Sequence, residues 1–300
     1  MHVAIILSEY PAGLEVALKL GLEVIHVHEK EFPDGELYVR ILEPERVKSN
    51  NVVLFSTTYP RQEKALLKTL LAIDAARRAG AVGITAVIPY LAYARQDKMF
   101  LPGEPVSGGL VTWLLKSAGA GQLVTVDVHS TRVLEPFQDK AVNILVSDLL
   151  VARALNYLDN PVVIAPDKGA LERACYAARA HGLNCDFLVK QRDRITGEVS
   201  YVPREISISG RDVLLVDDII STGGTVAEAT RIILSKGARR VVIAATHGLL
   251  VGEAVRRLEE SGAYRILLAN TLSTKHAHPL LEYVDITNKI SAELKRLLGI

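Results

Sequence analysis

Cysteine is nearly missing from this chain of 300 residues: there are two, Cys175 and Cys185. Two cysteines make neither a disulfide framework nor a zinc site, so the expectation is a pair of reduced thiols in a cytosolic protein. Aromatic residues make up only 5%, little support for the stacking platforms of an RNA binder. No sign of charge dominates, since 35 Lys and Arg stand against 34 Asp and Glu for a net charge of +1. That argues against both a nucleic-acid-binding tail and a membrane-adsorbing surface. No apolar run reaches the roughly 18 residues that span a bilayer. MHVAIILSEYP has no basic stretch before its short apolar run, so it reads as a first strand and not as an export signal. The location expected is the cytoplasm. Methionine is as rare as cysteine, and Asn and Gln are scarce too, a composition seen in heat-adapted proteins.

What is present is apolar sequence in a regular rhythm. Nearly half of the residues, 49%, are hydrophobic, and the length suits two domains better than one. Short β-branched runs at 3–7, 23–27, 52–56, 84–88 and 123–127 read as strands, with helical spacing over 63–79 and 108–118. The second half repeats this, with strands at 162–165, 186–189, 213–216, 241–245 and 265–269 and helices near 147–157, 169–181, 224–236 and 252–261. Several strands are unbroken apolar runs, the mark of a parallel sheet covered on both faces. The fold class is therefore α/β, with two tandem doubly wound, mainly parallel sheets. The boundary is placed near residue 145, giving domains 1–145 and 146–300, with a last helix at 287–298 that can return to the first domain. LYVRI (37–41), after a Pro-Asp-Gly turn, reads as an antiparallel edge strand, and the polar stretch 190–210 as a flap or hairpin.

The most informative string is VLLVDDIISTGGT, residues 213–225. A buried strand ending at Val216 and a helix beginning near Gly224 would aim backbone N–H groups and a helix N-terminus at one spot, which is an anion site. Ser221, Thr222 and Thr225 add hydroxyl donors, and Gly223 and Gly224 let a phosphate approach the backbone. Asp217 and Asp218 do not favour a phosphate. They can accept from vicinal sugar hydroxyls or support a magnesium ion. An isolated Thr-Gly-Gly-Thr is only a helix cap; the strand, the acid pair and the loop together are far more specific.

This string closely resembles the phosphoribosyl-pyrophosphate motif of the type I phosphoribosyltransferase fold. Four further segments are similar to the ribose-phosphate pyrophosphokinase family within it. FPDGE (32–36) resembles that family's adenine loop, which reaches the nucleotide of a neighbouring subunit. Phe32 can stack on a purine, Gly35 forms the turn, and Asp34 and Glu36 can accept from an exocyclic amine; alone, FPDGE is an ordinary turn. IPYLAYARQDK (88–98) resembles the ATP-contacting segment, through Arg95 and Gln96. VDVHS (126–130) places His129 as the family's metal–nucleotide contact, and a lone His after a strand is otherwise structural. APDKGALERA (165–174) resembles the pyrophosphate turn, with Asp167 as a magnesium contact or simply a helix cap. VKQRDR (189–194) supplies Lys190 and Arg192 as the catalytic pair, with Arg192 also near the sugar phosphate.

The resemblance implies an enzyme that binds ATP and ribose 5-phosphate with Mg2+ and assembles as a homo-oligomer whose ATP site lies near a subunit interface. It departs in three places: Ala170 replaces a glycine, Ser221 replaces an aspartate, and Gln138 and Asp139 do not align with the family's acids. His247, His276 and His278 are given no role by the resemblance and read as structural or surface residues. The rivals are a phosphoribosyltransferase, which has no need of FPDGE or an adenine site, a non-catalytic regulatory subunit, which should lose the flap or the phosphate loop, and a generic nucleotide-binding module, which leaves the acid pair unexplained.

Overall fold

The computed structural model describes residues 1–192, 199–203 and 207–300, leaving out the side chains of 190–192 and 199–203. The chain forms two compact units. Residues 1–144, 271–274 and 287–300 make the first, and residues 145–270 with 275–286 make the second. Each is a parallel sheet layered with helices, the doubly wound α/β class.

In the first unit the chain runs β1 (His2–Ile6), α1 (Ala12–Lys19), β2 (Glu23–Ile25), β3 (Val27–Glu31), β4 (Leu37–Ile41), α2 (Pro44–Val47), β5 (Asn51–Phe55), α3 (Gln62–Arg78), β6 (Gly83–Val87), α4 (Ser107–Ala118), β7 (Gln122–Val126) and β8 (Ala141–Ile144). The sheet order is β2-β1-β5-β6-β7-β8, parallel throughout. Val52 to Phe55 are wholly buried, as a strand covered on both faces requires.

EVIHV, expected as one strand, divides at His26. β2 stays in the sheet, and β3 turns away to pair antiparallel with β4. At the division the His26 N–H donates to the Glu43 carboxylate at 3.0 Å, and the His26 carbonyl accepts from the Leu42 N–H at 2.9 Å. The short β8, AVNI, was not anticipated, because four residues after a polar run carry little periodicity.

In the second unit the order along the chain is α5 (Ser147–Ala154), β9 (Pro161–Ala165), α6 (Leu171–Arg179), β10 (Cys185–Arg192), β11 (Val199–Pro203), β12 (Asp212–Ile220), α7 (Gly224–Ser235), β13 (Arg240–Gly248), α8 (Ala254–Glu260), β14 (Arg265–Ala269) and β15 (Leu281–Val284). α9 (Thr287–Leu298) then belongs to the first unit. Its Ile290 and Leu294 are fully buried, each contributing about 1.5–3 kcal/mol. Lys19 on α1 donates to Thr287 and Asn288 at its start, both at 2.7 Å. The second sheet has the order β11-β10-β9-β12-β13-β14-β15 and is parallel except for β10 with β11. Its foot is fixed by Asp212, a wholly buried carboxylate that accepts from Arg239 at 2.8 Å and Arg240 at 3.2 Å.

Two expectations are corrected here. The cysteines are not free: Cys175 and Cys185 form a disulfide, with Cα atoms 5.3 Å apart. α6 doubles back through a short turn onto β10, the strand it feeds, so residues ten apart in sequence meet across the helix–strand seam. The second concerns β12, which runs on to Ile220 and does not end at Val216. Its partner β13 is equally long and pairs with it through Ile220 and Gly248. Asp217 and Asp218 therefore lie within the strand.

Candidate active site

The extension of β12 shapes the acid pair's surroundings. On one side β9 pairs with β12 only as far as Leu215. On the other, β13 continues to Ile220. From Val216 onward β12 thus borders a notch beyond the end of β9, the crevice position at which α/β sheets take ligands. The loop that follows is tied from behind. The Ile220 carbonyl accepts from Leu249 and Leu250 at 2.9 and 3.1 Å, and the Ser221 carbonyl from Val251 at 3.0 Å. The Thr222 carbonyl accepts from the Arg257 guanidinium. Gly223 caps α7 at φ 74°. That positive φ is what favours glycine, and a Cβ there would meet only a slightly tight contact, 3.3 Å from the Leu258 side chain. The first N–H groups of α7 have no intrahelical acceptor, and Thr222 and Thr225 beside them are exposed.

Asp217 and Asp218 crowd each other. The Asp218 N–H donates to Asp217 Oδ1 at 2.8 Å. Burial, and then the neighbouring Asp218 carboxylate, raise the Asp217 carboxyl well above the usual carboxylate range. Arg173 on α6 opposes this, with Nη1 3.5 Å from Asp218 Oδ1. Sequence reasoning missed Arg173, although it stands in the same APDKGALERA segment as Asp167. Two carboxylates beside one cation suit a ligand that donates hydroxyl hydrogens or brings a divalent ion.

The turn after β9 is built by Asp167, whose Oδ1 accepts from Gly169 N–H at 2.7 Å and Ala170 N–H at 3.1 Å. Ala170, the departure from glycine, sits at φ −84° and ψ −7°, a conformation open to any L-residue. Lys190 and Arg192 stand on β10, paired with Tyr201 and Val199 of β11. Their side chains lie outside the described residues, as do residues 193–198 and 204–206 of the expected flap. β10, β9 and β12 are neighbours, so the acid pair, the Asp167 turn and the strand bearing Lys190 leave one edge of one sheet together.

The first unit gathers its own set in the same way. After β6, the segment 88–98 hangs on the loop after β5: Thr58 Oγ1 donates to the Tyr90 carbonyl at 2.7 Å and accepts from the Ala92 N–H at 2.6 Å. Arg95 is exposed; Gln96 is half-buried and donates to Glu104 at 3.3 Å. Asp97 accepts from Ser130 at 2.7 Å, joining this loop to the one after β7 that carries His129, which is exposed. Asp127, before it, is buried with φ 39°, a strained value of the kind found at functional strand ends. β5, β6 and β7 are adjacent and parallel, so these loops share one edge. FPDGE forms the tip of the β3–β4 hairpin. Phe32 N–H donates to the Glu36 carbonyl at 2.8 Å, Gly35 adopts φ 95°, and Asp34 and Glu36 are exposed. Tyr38 meets the Phe32 ring edge-on at 6.1 Å. Among the described residues, no three His, Cys, Asp or Glu side chains gather into a metal cage.

Residues 5–119 match the family described as the N-terminal domain of ribose phosphate pyrophosphokinase, and residues 138–281 match the phosphoribosyl transferase domain. The ribose-phosphate pyrophosphokinase of Aeropyrum pernix is 37% identical over 97% of this chain and 94% of its own. The chain belongs to the ribose-phosphate pyrophosphokinase family. The pyrophosphokinase of Pyrococcus furiosus is 40% identical over 87% of this chain and 91% of its own. The crystal structure of phosphoribosylpyrophosphate synthetase from Mycobacterium smegmatis superposes with a TM-score of 0.90, at 30% identity, over 99% of both chains. Pyrophosphokinases are transferases, so the chain is an enzyme. Among the described residues no helix is long and apolar enough to cross a membrane.

Proposed function

We propose that this pyrophosphokinase transfers the β,γ-diphosphoryl group of ATP to the C1 hydroxyl of ribose 5-phosphate. The sugar oxygen attacks the β-phosphorus, the bond from that phosphorus to the α,β-bridging oxygen breaks, AMP leaves, and the hydroxyl proton is released. The observation that carries this reading is the β12 notch, where a crowded acid pair adjoins a glycine-capped helix start in a chain matched to the family along nearly its whole length. Neither a base-attaching transferase nor a plain nucleotide module calls for the full set.

The division of labour follows from the chemistry of each group. Ser221, Thr222, Gly223, Gly224 and Thr225 grip the sugar's 5-phosphate through N–H and hydroxyl donors. Asp217 and Asp218 accept from the ribose hydroxyls. Phe32, Asp34, Gly35 and Glu36 hold adenine, and Arg95 and Gln96 the rest of the nucleotide. Asp167 and His129 would each contact Mg2+, directly or through water, and the metal would neutralise phosphate charge. Lys190 and Arg192 compensate the charge that moves to the leaving group, since such transfers depend on alignment and electrostatics.

The working form is a homo-oligomer in the cytoplasm, with the ATP site near a subunit boundary. Val106, Leu110 and Trp113 recur at helical spacing and are 41, 52 and 54% exposed, an apolar stripe suited to a second copy. A cystine is compatible with this location in heat-adapted organisms, whose intracellular proteins often contain disulfides.

The test is to incubate the protein with magnesium, ATP and ribose 5-phosphate and to follow AMP. AMP that forms only when the sugar is present supports the reading. ATP binding without AMP points to a regulatory subunit, and overturns it.

A further inference from the structure

The β3–β4 hairpin meets α3 through a ladder of charge. Residues alternate along β3, so Glu29 and Glu31 share a face. Arg61, Lys64 and Lys68 recur at helical spacing at the start of and along α3. The two series interlock. Lys68 lies 2.9 Å from Glu29 and also pairs with Glu9, in the loop after β1. Toward the hairpin tip, Lys64 lies 2.5 Å and Arg61 3.6 Å from Glu31.

The rungs differ in burial. The Lys68, Glu9 and Glu29 side chains are only 12, 11 and 16% exposed, whereas Lys64 and Glu31 are 36 and 38% exposed. Ser8 completes the inner rung, donating to Glu29 from its N–H at 2.9 Å and its hydroxyl at 2.8 Å. Burial alone would raise the Glu29 carboxyl, but the hydrogen bonds from Lys68 and Ser8 outweigh it and hold it below the ordinary range. A two-stranded hairpin has little stability of its own. Here its apolar anchoring is strongest at the base, where Ile41 is buried, and is only partial at Val39. The tip with Phe32, Asp34 and Glu36 therefore depends on the charged rungs that hold the hairpin beyond its base.

We propose that Lys68 is a positioning residue of the nucleotide site: by gripping Glu29 and Glu9 together, it sets the hairpin whose tip carries Phe32, Asp34 and Glu36. This rests on the reading of that tip as the adenine loop. In this role Lys68 acts through Glu29 and Glu9 and not on the substrate itself. Without it, two buried carboxylates face each other with no cation between them, and the hairpin must move to relieve them.

The experiment compares the full-length enzyme with Lys68→Met and Glu31→Gln, measuring kinetics for each substrate and amide hydrogen exchange over residues 27–41. Lys68→Met should raise the KM for ATP by about tenfold or more, leave the KM for ribose 5-phosphate within about twofold, and speed exchange in the hairpin. Glu31→Gln removes an exposed rung that the fold does not need, and should act in the same direction by about two- to threefold. An unchanged KM for ATP, a matched rise in both KM values, or unchanged hairpin exchange in folded Lys68→Met would overturn the proposal. Should Lys68→Met not fold, a KM for ATP identical between wild type and Glu31→Gln overturns it. Absence of AMP from the wild type would overturn the functional reading itself and the nucleotide role with it. Hairpin exchange would then report the anchor alone, so the two failures are distinct.

Discussion

Arg173 Nη1 lies 3.5 Å from Asp218 Oδ1, with the two side chains only 14 and 7% exposed. This guanidinium opposes the burial and mutual repulsion that raise the Asp217 carboxyl. Replacing Arg173 with methionine should push that carboxyl higher still. More enzyme would then carry a proton on the pair at any given pH, and the acid limb of the pH–rate profile should move upward. A loss of about ten- to a hundredfold in kcat/KM for ribose 5-phosphate is expected, with the KM for ATP little changed. A pH–rate profile that overlays the wild type would refute the assignment.

Lys190 opens the segment proposed to compensate leaving-group charge. Lys190→Ala should still bind both substrates, while kcat falls by about a hundredfold or more. Steady-state turnover measured beside calorimetric binding separates the two effects. Normal turnover would remove Lys190 from the chemistry.

The Cys175–Cys185 disulfide closes a short loop between α6 and β10. On chain-entropy grounds its loss should cost about 3 kcal/mol. Cys175→Ser/Cys185→Ser should therefore melt several degrees below the oxidised wild type, and a reductant should lower the wild type toward the double variant. A thiol count in denaturant is the direct check: reactive thiols before reduction would contradict the bond.

Asp212 should govern acid stability. Burial alone would raise its carboxyl, but hydrogen bonds from Arg239 and the Asp159 N–H outweigh it and hold it below the ordinary range. A carboxyl depressed in this way stabilises the fold above its unfolded pKa, and that contribution is lost as pH falls through the folded-state value. Asp212→Ala should cost about 3 kcal/mol at neutral pH. In denaturant titrations repeated toward acid, wild type and variant should converge. A constant gap at all pH values would place the pair's contribution elsewhere.

Much of the fold was readable residue by residue. Unbroken apolar strands such as Val52–Phe55 report burial on both faces through their own composition, and helices such as α3 report theirs through spacing. The glycine at 223 and the hydroxyls around it likewise mark their turn locally. Less was readable where an element depends on its neighbour. β12 and β13 extend together, EVIHV divides where a side chain from residue 43 takes the His26 N–H, and β8 forms along the edge of β7.

By itself, then, the sequence determined the α/β alternation, the strings that carry phosphate and nucleotide chemistry, and the family those strings match. Their signals are periodicity and short-range turn chemistry, which a chain writes into adjacent residues. Only the tertiary structure decided that Arg173 faces Asp218, that Cys175 bonds Cys185, and that Lys68 joins the loop after β1 to the hairpin. Each of these is a distance between separate elements, set by how helices pack on strands and not by the residues on either side.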